Sequence, residues 1–125
     1  MVVRFLATGQ LDQTFGIGGV RTLALDPLID IGFDIVATKD RLVISGGAAI
    51  QQQAGKMYVA RLLQLDGSLD PCFGTGGVFS TYPTQGFAGN DHAFSLQILG
   101  DGDILAAGST GYSSWGDFAV MKIVP

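Results

Sequence analysis

A ten-residue signature occurs twice in this chain. Leu11-Asp12-Gln13-Thr14-Phe15-Gly16-Ile17-Gly18-Gly19-Val20 aligns with Leu69-Asp70-Pro71-Cys72-Phe73-Gly74-Thr75-Gly76-Gly77-Val78, identical at seven of ten positions and displaced by 58 residues. Repetition at this period constrains a fold more than composition does, because each copy is one supersecondary unit that buries its faces against its neighbours. The match continues downstream. Leu42-Val43-Ile44-Ser45-Gly46 pairs with Ile104-Leu105-Ala106-Ala107-Gly108, and Val59-Ala60-Arg61-Leu62 with Val120-Met121-Lys122-Ile123. Val2-Val3-Arg4-Phe5 is a third copy of the last pattern. The chain therefore reads as one repeat domain over 1–125: a strand 2–6 belonging to a preceding unit, unit one over about 7–64, and unit two over about 65–125.

Each unit reads as four short strands: 20–25, 33–39, 41–48 and 57–64, then 78–82, 92–99, 103–110 and 118–124. Strand 2–6 makes nine. Alternation in Phe33-Asp34-Ile35-Val36 and in Phe94-Ser95-Leu96-Gln97 suits a sheet with one better-buried face. LVISGGA and ILAAGS are apolar and small throughout, which suits strands covered on both sides. Asp101-Gly102 is a hairpin pair between strands 92–99 and 103–110. The 19 glycines among 125 residues supply many tight turns, and no segment holds helical periodicity for three turns. A four-stranded antiparallel meander is the expected form of each unit.

With 47% hydrophobic and 14% charged residues, the chain has enough apolar material for a packed core. A net charge of −4 with scattered Lys and Arg leaves no basic stripe for phosphates, so nucleic acid is not an expected partner. No apolar run approaches the roughly 20 residues of a membrane span. The start, MVVRFLATGQ, is too short in apolar residues for a signal peptide, so export requires a signal outside these residues. A single cysteine, Cys72, forms no internal disulfide.

These pieces resemble the delta-60 repeat, a bacterial family of unknown function assigned to the β-propeller class. The resemblance rests on Asp66-Gly67-Ser68-Leu69-Asp70, Phe73-Gly74-Thr75-Gly76-Gly77, the stretch Ala93 to Gly108 with Asp101-Gly102-Asp103-Ile104, and Asp117-Phe118-Ala119-Val120-Met121-Lys122-Ile123. Unit one departs from the pattern, with Thr8-Gly9 in place of the Asp-Gly turn and a shortened hairpin at Thr38-Lys39-Asp40-Arg41. The family implies a propeller-type repeat, a secreted or cell-surface setting, and no established catalytic residue or cofactor.

The fold expected is all-β: two four-stranded propeller-like blades plus the extra N-terminal strand. Propellers close with four to eight blades, and two leave an apolar face bare at each end. At roughly 25 cal/mol per Å2, several hundred Å2 left wet forgoes on the order of 10 kcal/mol. Homo-oligomerisation into a ring relieves this, with a trimer of six blades favoured and a dimer or tetramer as alternatives. Strand 2–6 is the expected clasp on a neighbour's sheet edge. A fragment of a longer array and a sandwich-like dimer are the competing architectures.

The functional reading is a non-enzymatic propeller-type module for assembly and for binding a ligand or partner, a glycan or a protein; a carbohydrate-binding, lectin-like propeller is the alternative. Arg4, Arg61 and Lys122 share one repeated position, and Asp12 and Asp70 another; an ion pair tying strand to turn is the favoured role over a ligand site. Asp30 and Asp91, each before the second strand of its unit, are candidates for a carboxylate-lined mouth, with a structural turn role favoured over it. Tyr112 and Trp115, flanking Ser113-Ser114, are candidates to stack on a sugar or anchor a partner; the favoured role for Trp115 is to cap the sheet or fill the subunit interface. His92 and Cys72, without a second nitrogen or sulfur ligand in the chain, offer no metal site. A hydrolase at the propeller funnel, using Asp30, Asp91 and His92, is the alternative from another class.

Overall fold

The computed structural model describes residues 1–25, 30–48, 55–83, 91–112 and 115–125, with only the backbone described at Ala48, Tyr112 and Trp115. Among these residues there is no helix, and nine strands run in chain order. They are β1 (Val2–Val3), β2 (Val20–Arg21), β3 (Asp30–Ala37), β4 (Arg41–Ala48), β5 (Lys56–Leu63), β6 (Val78–Thr81), β7 (His92–Ile98), β8 (Ile104–Tyr112) and β9 (Trp115–Ile123).

The strands group differently from the repeat units. They form a leading sheet β1-β2, a central sheet β3-β4-β5-β6 and a trailing sheet β7-β8-β9, all antiparallel. The strand after each glycine-rich signature thus joins the sheet before it. Val20–Arg21 pairs with Val2–Val3 and not with the strand that follows, and Val78–Thr81 closes the central sheet beside β5. The expected pair of four-stranded meanders is replaced by sheets of two, four and three strands.

The cause lies in the signature's own backbone. Arg4 N–H donates to Gly19 O at 3.0 Å and Asp12 N–H to Arg4 O at 2.9 Å; Arg61 and Asp70 repeat this with Gly77 O at 2.9 Å and Arg61 O at 2.8 Å. The loop zips onto the strand it has just left. Its reversal needs Gly16 (φ 58°) and Gly74 (φ 52°), where a Cβ would also run into the carbonyl oxygens of Val20 and Val78. Gly74→Ala is expected to lower stability by about 1–3 kcal/mol, measured by urea unfolding, since strain and collision coincide there.

β4 is covered on both faces, as its composition suggests. Leu42 and Ile44 face the core shared with the leading sheet, built around Phe15, Ala60 and Leu62. Val43 faces the second core, where Met57, Val59 and Phe73 meet Ala93, Leu96, Ile104, Ala106 and Ile123 of the trailing sheet. The small residues of β4 and of its counterpart β8 have a second cause: a Cβ on Gly46 would strike the carbonyl of Ile31 on β3, and one on Gly108 the carbonyl of His92 on β7. The alternation expected along β3 and β7 is broken once in each, by matching bulges at Phe33 and Phe94. The Asp101-Gly102 hairpin forms where expected, closed by Leu99 N–H to Asp103 O at 2.8 Å.

Candidate functional site

The two signatures build the same clasp. Arg4 Nε stands 2.9 Å from Asp12 Oδ2, and Arg61 Nε 3.0 Å from Asp70 Oδ2. Each guanidinium also lies over the signature phenylalanine, Arg4 at 4.6 Å from the Phe15 ring centre and Arg61 at 4.7 Å from that of Phe73. The other carboxylate oxygen accepts the amide two residues on, Thr14 N–H in one copy and Cys72 N–H in the other, both at 3.0 Å. One planar cation thus bridges a carboxylate and an aromatic face, which Arg does better than Lys. The repeated cations and acids hold strand to turn.

The second clasp is the more elaborate. Asp70 is only 2% exposed, and Arg41 Nε also reaches its Oδ2, at 2.7 Å. Burial by itself raises the Asp70 pKa, but the Arg41 bond, the Cys72 amide and the charges of Arg61 and Arg41 outweigh it and hold the carboxyl below its ordinary value. Asp12 is held down too, by its hydrogen bonds from Thr14 and by Arg4.

The third cation sits in a different setting. Lys122 Nζ is 2.6 Å from Asp103 Oδ2, and Asp103 occupies in unit two the place Arg41 holds in unit one. The roles are inverted: two cations share one acid in the central sheet, and the trailing sheet pairs one of each.

The two ends of the sheet stack are apolar and open. On β5, Met57 is 1% and Val59 0% exposed because the trailing sheet covers them. Their counterparts on β9, Phe118 and Val120, are 88% and 62% exposed. At the other end Phe5, counterpart of the fully buried Leu62, is 61% exposed. The leading sheet has two strands against the central sheet's four, and beside it β3 is left part bare, with Ile31 40% and Ile35 50% exposed. A hollow of about 150 Å3 there is lined by Val2, Leu23, Leu25, Ile44, Tyr58 and Ala60. A neighbouring one of about 380 Å3 reaches Phe33 and Ile35.

The other candidate residues stand at separate places in the fold. Asp30 opens β3 and accepts Leu25 N–H at 2.8 Å. Asp91 is fully buried and accepts Gly111 N–H at 3.2 Å. Both acids thus hold backbone. His92 packs edge-on against Phe33 at 5.3 Å, and Phe33 against Phe94 at 4.8 Å. Burial lowers the His92 pKa against the opposing pull of Asp91, and its Nδ1 has no hydrogen-bond partner among the described residues. Cys72 is exposed. Asp101 Oδ1 accepts Asp103 N–H at 3.1 Å, a turn role. No group of three metal-ligating side chains occurs among the described residues. Tyr112 and Trp115 face each other across the β8–β9 ladder; their side chains, and Ser113-Ser114 between them, lie outside the described residues. No helix among the described residues is long and apolar enough to cross a membrane.

The feature that sequence reasoning missed is Arg41. Its reach to Asp70, 29 residues away, had no signal in the repeat, because unit two has Asp103 at that position. Comparison with protein-family models, with curated proteins and with solved structures finds no match to the chain.

Proposed function

We propose that this chain is a non-enzymatic repeat module of the propeller type, in line with its resemblance to the delta-60 repeat, and that it works by joining copies of itself end to end into a ring. One observation carries the reading: Phe118 and Val120 are bare at repeat positions where Met57 and Val59 are sealed by the next sheet. A second copy supplies the missing cover, and burial of these apolar faces drives the association. A trimer of six blades remains the favoured closure, with a dimer or tetramer as alternatives. The second clasp, Asp70 between Arg41 and Arg61, fastens strand to turn within the central sheet.

Phe118→Asp combined with Val120→Asp is expected to reduce the assembly to single chains of 13.0 kDa, with the β spectrum retained because both side chains are exposed in the single chain. Light scattering and circular dichroism check the two halves. An unchanged oligomeric mass in the double variant refutes an interface on this face.

A further inference from the structure

Resting on that reading of self-assembly, we infer that the junction between copies is a strand replacement: β9 of one copy takes the place of β1 beside β2 of the next, so that β7 and β8 lie over the part-exposed β3 and the adjoining β4 of the next copy's central sheet.

Three observations meet here. β1 and β9 carry the same repeat pattern, Val2-Val3-Arg4-Phe5 and Val120-Met121-Lys122-Ile123, so both suit the same seat. β1 fills that seat with a two-residue ladder, Val2↔Arg21 and Val3↔Val20, whereas β9 is nine residues long and is already paired to β8 along its full length. In the central sheet the strand equivalent to β9 carries a fourth strand, with Val59↔Phe79 and Ala60↔Val78, and β9 has none among the described residues.

The space fits the same occupant. Among the described residues the trailing sheet has three strands, β7, β8 and β9, and the leading sheet two, β1 and β2, against four in the central sheet. With β1 displaced, the two halves make one four-stranded sheet. Its β7 and β8 then cover Ile44 and Ile35, the latter 50% exposed, where the hollows now stand. Phe118 and Val120 enter the core that Val2 helps to form. Lys122 arrives where Arg4 stood, facing Asp12 while keeping Asp103, so one cation is shared by two acids, the inverse of Asp70 between Arg41 and Arg61.

The register is specified by the existing ladders. If β9 replaces β1, Met121 pairs with Val20 and Val120 with Arg21 of the neighbouring copy. The test mixes two single-cysteine proteins, both carrying Cys72→Ser: one with Val20→Cys, the other with Met121→Cys. Under mild oxidation they are expected to form the mixed disulfide, read by mass spectrometry of linked peptides. Ala119→Cys in place of Met121→Cys, two residues out of register and about 7 Å farther along, is expected to give about ten-fold less. The pair Arg21→Cys with Val120→Cys is a second in-register readout should either first variant fold poorly. If the protein assembles but the in-register and out-of-register pairs link equally, or neither links, the strand replacement is overturned and end-to-end association stands. If the wild-type protein runs as single chains, both are overturned.

Discussion

Phe73→Ala is expected to lower folding stability by about 3–5 kcal/mol, the range for deleting a buried phenylalanine side chain that neighbours cannot refill. The ring is 1% exposed and sits in the core between central and trailing sheets, beneath the Arg61 guanidinium. Its removal opens a cavity and takes away the aromatic face that the cation covers. Phe15→Ala is expected to behave alike, because that ring is fully buried, lies under Arg4, and fills the space beside Gly67, where even a Cβ would come within 2.6 Å of it. Cys72→Ala, one position before Phe73 and exposed, is expected to change stability by less than about 0.5 kcal/mol. Urea unfolding of the three variants at one protein concentration separates signature core from signature surface.

Asp70→Ala is expected to cost about 3 kcal/mol, because it strands two guanidinium groups around a buried acid's vacated place. The wild-type contribution of Asp70 also depends on pH in a definite direction. A carboxyl whose pKa is lowered by folding adds stability that is fully present above the unfolded value, near 3.9, and is lost as pH falls through the lower folded value. The wild-type protein should therefore weaken as pH drops below about 4, and Asp70→Asn should show a shallower decline over that window while being weaker at pH 7. Unfolding midpoints at pH 7, 5 and 3 measure both slopes. A slope in Asp70→Asn equal to that of the wild type would mean that the second clasp is not where acid acts.

Much of this architecture is written locally and was legible for that reason. The signature recurs with its glycines in place, and those glycines have one conformational purpose. The apolar, small-residue third strands are covered on both faces in the first unit, where Leu42 and Val43 point to different cores. The cation at Arg4 and Arg61 and the acid at Asp12 and Asp70 were expected to tie strand to turn, and they do.

What escaped is what depends on partners distant in the chain. Repeat boundaries mark sequence periods, but hydrogen bonds from Arg4 and Arg61 to the far end of each signature loop decide which sheet the next strand joins. The bulges at Phe33 and Phe94 break an alternation that looked regular, because a single extra residue leaves no mark in a pattern of period two. Asp91 looked like a loop acid and is fully buried, since only the fold brings the Gly111 amide to it. The junction inferred here follows from comparing equivalent positions in space, Phe118 with Met57 and Val120 with Val59. Their residue types alone carry no such contrast.

The native mass of the wild-type chain, measured by light scattering at micromolar concentration and ordinary salt, bears most directly on all of this. Copies that seal one another's open sheets give a discrete species at a whole-number multiple of 13.0 kDa, with four, six or eight blades for two, three or four chains. A monodisperse species of 13.0 kDa, stable and folded, would contradict it.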